Sequence, residues 1–109
     1  DLSAGSDRYV LVMIYKKECP SCQRQLPEVL KFCNKWQYRN LGVAITEEFF
    51  EGLDSNIHDD SVVADEAIES FPTLLLLDSE TEEKIFLSKG VTRVDDMESK
   101  IAKIIKERG

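Results

Sequence analysis

One stretch decides the fold: it reads YVLVMIYKKECPSC and runs from Tyr9 to Cys22. Its apolar first part ends at Tyr15. Because successive side chains of a strand point to opposite faces, both faces here are apolar, which predicts a buried strand in a sheet flanked by helices. A Cys-x-x-Cys pair, Cys19 and Cys22, follows where a helical pattern begins. Such a pair beside a βαβ pattern indicates thiol-disulfide chemistry.

The helical pattern after the cysteines extends from Gln23 to about Tyr38. Its apolar residues recur at the spacing i, i+3, i+4, i+7, and they are Leu26, Val29, Leu30 and Cys33. Pro27 lies inside this helix and predicts a kink, because proline removes a backbone donor.

The rest of the chain completes an α/β pattern. It predicts a strand over residues 41–46, a helix over 61–68 that Ser61 caps, a strand over 74–77 with a hairpin partner over 84–88, and a C-terminal helix after Thr92. The order is then β-α-β-α-β-β-α. We expect three layers, α/β/α, built around a four-stranded mixed sheet.

Length and charge limit the possible functions. A chain of 109 residues is one domain, which we assign to residues 9–109, with residues 1–8 as an N-terminal linker. The net charge of −7 argues against a nucleic-acid partner. No apolar stretch reaches the roughly 18 residues that a membrane span needs. The chain begins at Asp1 rather than Met, so we expect a processed or trimmed fragment.

One segment is strongly acidic. From Thr46 to Ser70 there are nine acidic residues and no Lys or Arg. A solvated flank explains such a run, and so does a docking surface for a basic partner. Both interpretations stay open at the level of the sequence.

The two close cysteines have unequal predicted roles. Cys19 precedes the first helical turn, where free N–H groups and the helix dipole favour a thiolate. It is therefore the candidate for the attacking thiol. Cys22, one turn further on, is placed to attack Cys19 and resolve a mixed disulfide. Lys16 and Lys17 would favour a thiolate further, or they are simply solvated.

A zinc half-site and an inert structural disulfide are the alternatives for this pair. Structural zinc needs four ligands, and the only further candidates are Cys33 and His58. Cys33 would lie about 16 Å along the helix from Cys22, too far for a shared metal or a bridge. We therefore expect no metal site, a buried core thiol at Cys33 and a solvated loop histidine at His58.

Taken together, these features resemble the thioredoxin superfamily of thiol-disulfide oxidoreductases. The apolar strand runs into Cys19-Pro20-Ser21-Cys22, and Pro27 occupies the position of the family's kink proline. Phe71-Pro72-Thr73 is similar to the family's X-Pro-Thr segment, whose cis proline faces the Cys pair, and Gly90 to its glycine after the last strand. This resemblance covers about residues 9–107. The sequence is also similar to thioredoxin-like proteins of bacterial conjugative-transfer machinery, which support disulfide formation in pilus assembly proteins.

The resemblance implies a role for each site residue. Cys19 would be the nucleophile and Cys22 the resolving thiol. The substrate-binding residues would be Pro20, Ser21, Phe71, Pro72 and Thr73. The backbone of Phe71 would pair with an extended substrate segment by strand addition.

Two positions depart from the thioredoxin pattern. Thioredoxins carry a buried Asp where this chain has Met13, and usually a Trp where it has Glu18. These departures suit a specialised extracytoplasmic protein at least as well as a general reductase.

The sequence thus predicts a protein-disulfide oxidoreductase whose direction is undetermined, because oxidants, reductants and isomerases share these residues. Its partners would be cysteine-containing protein substrates and a redox partner protein. It would act as a monomer without a cofactor, and an extracytoplasmic location is favoured over a cytoplasmic one. The alternative is a thioredoxin-like binding or assembly module whose Cys pair forms a structural disulfide.

Overall fold

A computed structural model describes residues 1–108. A five-stranded sheet with the strand order β3-β2-β1-β4-β5 forms its centre. The strands are β1 (Tyr9–Tyr15), β2 (Arg39–Ala44), β3 (Asn56–His58), β4 (Thr73–Asp78) and β5 (Lys84–Lys89). The helices are α1 (Pro20–Trp36), α2 (Val62–Asp65) and α3 (Val94–Arg108), and a short 3-10 helix (Leu2–Gly5) precedes β1.

The sheet is mixed, as predicted, but it has one strand more than predicted. β1 pairs in parallel with β2 and antiparallel with β4. The additional strand is β3, which pairs in parallel with β2 over three residues. The expectation of four strands was wrong because Asn56–His58 has no apolar run. The strand forms through its contacts with β2, where Gly42 pairs with Asn56 and donates its N–H to the Ser55 carbonyl at 2.9 Å.

Helices α1 and α3 cover one face of the sheet and form the main core with it. The fully buried Gln25 of α1 ties the two helices together. Its side-chain amide donates to the Thr92 carbonyl at 2.9 Å and accepts the Thr92 N–H at 2.6 Å. Glu28 adds a cap by accepting the Val94 N–H at 3.1 Å. The first turn of α3 is therefore held by side chains of α1.

The opposite face of the sheet has a thinner cover. Its buried residues are Val12, Ile14, Val43 and Leu75. The predicted helix over 61–68 is shorter than expected, because α2 ends at Asp65 and Ala67 adopts a positive φ of 53°. Ser61 precedes α2 but forms no side-chain cap. Ile68 nevertheless packs against this cluster, so the segment after α2 completes the third layer.

The N-terminal segment, which the sequence predicts as a linker over residues 1–8, contacts the main core. Leu2 in the 3-10 helix is only 8% exposed and joins the main core. Its carbonyl accepts the Tyr38 hydroxyl at 2.6 Å. The polar composition of this segment gave no sign of the packing, because a single Leu supplies the apolar contact.

Along residues 1–108, no helix combines the length and the apolar character needed to cross a bilayer.

Candidate active site

Cys19 lies at the N-cap of α1, the position predicted for an attacking thiol. Its backbone is extended, with φ −77° and ψ 117°, and Pro20 occupies the first helical position. Proline suits that position because its fixed φ matches the helix and its missing N–H would have no partner there. The Cys19 Sγ accepts the Cys22 N–H at 3.2 Å. The sulfur itself therefore caps the helix, where the dipole favours negative charge.

Cys22 lies behind Cys19 and is fully buried. Burial, followed by the hydrogen bond with Cys19, raises the pKa of the Cys22 thiol to about 12. Met13, also fully buried, belongs to the same apolar cluster. The two thiols thus differ in access, since Cys19 is only partly buried.

The segment Phe71-Pro72-Thr73 lies next to the cysteines. The Phe71 carbonyl accepts the Cys19 thiol at 3.9 Å, and the Phe71–Pro72 peptide bond is cis. The Pro72 carbonyl accepts the Gly90 N–H at 2.8 Å, and the Thr73 hydroxyl donates to the Ser70 carbonyl at 2.8 Å. The bonds with Gly90 and Ser70 fix the loop before β4, and the contact with Cys19 joins that loop to the start of α1.

A groove of about 570 Å³ opens beside Cys19. Its lining residues are Lys16, Glu18, Cys19, Pro20, Thr46, Glu48 and Phe71. The Lys16 ammonium lies over the Phe71 ring, 5.1 Å from its centroid. An extended segment crossing this groove would pass both the Cys19 sulfur and the Phe71 backbone.

The predicted site residues do not all face the groove. Cys19, Pro20 and Phe71 line it. Cys22, Pro72 and Thr73 are buried behind these residues. Ser21 is absent from the lining, and its hydroxyl accepts a hydrogen bond from Arg24 at 3.3 Å. The structure therefore brings the predicted residues into one region, and Cys19, Pro20 and Phe71 are the ones that line the groove.

Thr46 and Glu48 line the groove although nothing in the sequence predicted it. They belong to the segment after β2, which folds back toward the site. The Tyr15 hydroxyl accepts the Phe50 N–H at 3.0 Å and donates to the Asn56 side-chain oxygen at 2.5 Å. A tyrosine at the end of a buried strand was the one available signal for this anchor.

The remaining candidate ligands lie elsewhere in the molecule. Cys33 is a buried thiol of the main core, as predicted, and burial raises its pKa to about 11. His58 is exposed, on β3 rather than in a loop. Within residues 1–108, no group of three or more His, Cys, Asp or Glu side chains is arranged to hold a metal.

Solved structures similar to this chain share one class of fold. The exposed lipoprotein thioredoxin Etrx1 of Streptococcus pneumoniae strain TIGR4 aligns over 94% of this chain and 89% of its own, with TM-score 0.69 and 16% identity. The MTB protein dsbF aligns over 94% of this chain and 84% of its own, with TM-score 0.68 and 15% identity. The thioredoxin domain of a thiol-disulfide oxidoreductase from Bacteroides vulgatus aligns over 95% of this chain and 84% of its own, with TM-score 0.64 and 22% identity. The chain therefore has a thioredoxin-like fold.

A family-level match narrows this class. The family model described as TraF, F plasmid transfer operon protein, matches residues 2–102. The chain therefore belongs to the TraF family. No curated protein matches the chain. The similarities predicted from the sequence, to the thioredoxin superfamily and to conjugative-transfer proteins, are both confirmed.

Proposed function

We propose that the protein exchanges disulfides with protein cysteines, with Cys19 as the nucleophile and Cys22 as the resolving thiol. The asymmetry of the Cys pair carries this proposal. Cys19 is partly exposed to a groove and caps a helix, whereas Cys22 is fully buried one turn behind it. One thiol can therefore meet a substrate while the other reacts only with its neighbour.

The reaction has two steps. The Cys19 thiolate attacks a sulfur of a substrate disulfide; an S–S bond forms to Cys19, the substrate S–S bond breaks, and the leaving sulfur takes up a proton. Cys22 then gives its proton to water and attacks the Cys19 Sγ. The Cys19–Cys22 disulfide forms and the second substrate sulfur leaves. Two electrons have passed to the substrate, and the reverse sequence oxidises a substrate dithiol.

The Phe71 backbone gives the groove a means of holding a peptide. Its carbonyl lies beside the Cys19 sulfur, so a substrate strand paired with Phe71 brings a cysteine next to the nucleophile by strand addition. A redox partner protein would restore the starting state of the Cys pair, and its potential would decide the direction of the reaction.

We also propose that the protein works outside the cytoplasm, as a monomer. The similar S. pneumoniae protein is described as an exposed lipoprotein, and the family is named for a plasmid transfer operon. An oxidising compartment is where protein disulfides form and persist.

The test is replacement of the proposed nucleophile. Cys19→Ser should lower the rate of insulin disulfide reduction by dithiothreitol-recycled protein by more than about 100-fold, to the uncatalysed rate. Cys33→Ser is the matched control, because that thiol is 4% exposed and lies in the core. It should keep the wild-type rate within about twofold.

Unchanged turnover in Cys19→Ser would overturn the assignment. A wild-type chain that is itself inactive, with a Cys19 that resists alkylation after reduction, would instead support the binding module with a structural disulfide.

A further inference from the structure

The groove beside Cys19 carries carboxylates that lack a cation. Glu18, from the loop before α1, and Glu48, from the segment after β2, both line it and are both exposed. Neither forms an ion pair with any residue among 1–108. The only basic residue of the lining is Lys16, whose ammonium lies over the Phe71 ring. The rim of the site therefore has an excess of negative charge.

The acidic segment extends this excess beyond the groove. Among its nine acidic residues, Glu66 and Glu69 pair with Lys84 and Lys89, and these two pairs line a separate cleft. Glu48 and Thr46, at the start of the segment, line the groove of Cys19. Within the segment, Glu66 and Glu69 are thus neutralised near β5, whereas Glu48 lines the candidate active site without an ion pair.

Two further basic residues lie near the start of α1 but do not offset this charge inside the groove. Lys17 and Arg24 are both exposed, and neither lines the groove. The Arg24 guanidinium donates to the Ser21 hydroxyl at 3.3 Å. A segment that lies in the groove would meet the Glu18 and Glu48 carboxylates as well as Cys19.

Resting on the proposed function, we propose that the groove selects substrate cysteines flanked by Lys or Arg. A basic side chain beside the substrate cysteine gains attraction from Glu18 or Glu48 in the encounter with Cys19, and an acidic one is repelled. Because these carboxylates are exposed, each should change the ratio of the rates for a basic and an acidic substrate by about two- to fivefold at low salt. The effect should decline as salt screens the charges.

Three small disulfides with equal spacers test the selection directly. Cystamine carries two ammonium groups, 2-hydroxyethyl disulfide is neutral, and 3,3′-dithiodipropionate carries two carboxylates. Stopped-flow rates for the reduced full chain are divided by the rates of the same disulfides with 2-mercaptoethanol, which removes their intrinsic reactivity. We expect the corrected ratio of cystamine to dithiodipropionate to reach about tenfold at low ionic strength and to fall toward one at about 0.5 M salt.

Substitutions then locate the source of the selection. Glu18→Gln and Glu48→Gln should each lower the ratio by about two- to fivefold, and the double variant by the product. Glu51→Gln is the matched control, since Glu51 is exposed in the same acidic segment but does not line the groove. It should leave the ratio within about 1.5-fold of wild type.

The outcomes separate the two proposals. A ratio near one at low salt, or an equal loss in Glu51→Gln and Glu48→Gln, would overturn the selection by the groove while exchange itself continues. Failure of the wild-type chain to react with the neutral disulfide would overturn the proposed function, and the substrate selection with it.

Discussion

A polar group is buried near each end of the β1–β4 pair, and the two groups differ in the number of their hydrogen-bond partners. At one end, Asp78 is fully buried and accepts hydrogen bonds from Arg8 at 2.8 Å and Arg108 at 3.0 Å, and from the backbone of Glu80 at 2.9 Å. At the other end, Cys22 is equally buried, and the polar neighbour that its own N–H contacts is the Cys19 sulfur. At the first end the Asp78 carboxylate is saturated with partners, and the second end holds the thiols that we propose to react.

The difference shows which end serves stability. Buried ionised groups require charged or hydrogen-bonding partners, whereas a buried thiol can remain neutral. Arg8 comes from the segment before β1 and Arg108 from the end of α3, so Asp78 links both ends of the chain to the sheet. The Cys19 sulfur, by comparison, accepts the Cys22 N–H at 3.2 Å and lies 3.9 Å from the Phe71 carbonyl, and neither partner is charged. Breaking each end should therefore have separate consequences.

Asp78→Asn should produce the largest effect on stability. It leaves the Arg8 and Arg108 guanidinium groups beside a neutral amide that cannot match their charge. We expect a fall in melting temperature of more than about 10 °C in thermal unfolding. Glu80→Gln is the control, because Glu80 lies 3.8 Å from Arg8 but is 66% exposed, and it should shift the temperature by less than about 3 °C.

The pH dependence of stability supplies a second check on Asp78. The Arg8 hydrogen bonds hold the pKa of this carboxyl well below its usual range in the folded state. A lowered folded-state pKa stabilises the fold above the unfolded pKa of about 3.9 and loses that stabilisation as the pH falls further. Wild type should therefore lose stability below about pH 4 more steeply than Asp78→Asn. Equal slopes would contradict the linking role of Asp78.

At the opposite end, the release of substrate by Cys22 should depend strongly on pH. Burial is the main reason that the pKa of Cys22 is raised to about 12. Cys22 is mostly a neutral thiol at pH 7. Below the pKa, the fraction present as thiolate increases about tenfold for each unit by which the pH rises. Single-turnover release of a fluorescent substrate thiol should therefore accelerate by about 100-fold from pH 7 to pH 9.

Cys22→Ser is the matched variant for this measurement. It should form the mixed disulfide at Cys19 and retain it at every pH, because no resolving thiol remains. A release rate in wild type that levels off near pH 8 would show that another group takes the Cys22 proton. The Asp78→Asn variant, studied below its melting temperature, should keep the wild-type pH profile because it changes the other end of the sheet.

Local signals were sufficient to predict the reactive end. The apolar run to Tyr15 and the helical spacing after Cys22 are short-range patterns, and the structure places a strand and a helix there. The proximity of Phe71 to Cys19 is a long-range feature, and it followed from the resemblance to a known family rather than from periodicity. The groove lining by Glu48 depends on a loop that folds back across the chain, which no local pattern specifies.

The saturated end was less predictable, because its contacts join distant parts of the sequence. Asp78 follows four leucines in the sequence, and no local pattern around it indicates Arg8 or Arg108 as its partners. β3 was missed for a similar reason. The Asn56 side chain fixes the start of that strand, because it donates to the Phe50 carbonyl at 3.1 Å and accepts the Tyr15 hydroxyl. Strand pairing of this kind depends on tertiary contacts, which apolar periodicity in the sequence does not indicate.

The smallest predicted effect distinguishes two adjacent lysines at the reactive end. Lys16 lies over the Phe71 ring, with its ammonium 5.1 Å from the centroid, whereas Lys17 is exposed and is absent from the groove lining. An exposed cation–π contact contributes about 0.5–1 kcal/mol. Lys16→Gln should therefore lower the free energy of unfolding in urea by that amount, and Lys17→Gln should change it by less than about 0.3 kcal/mol. Equal effects of the two substitutions would mean that the Phe71 loop is held by its backbone bonds alone, and that the reactive end has even less side-chain support than its contacts suggest.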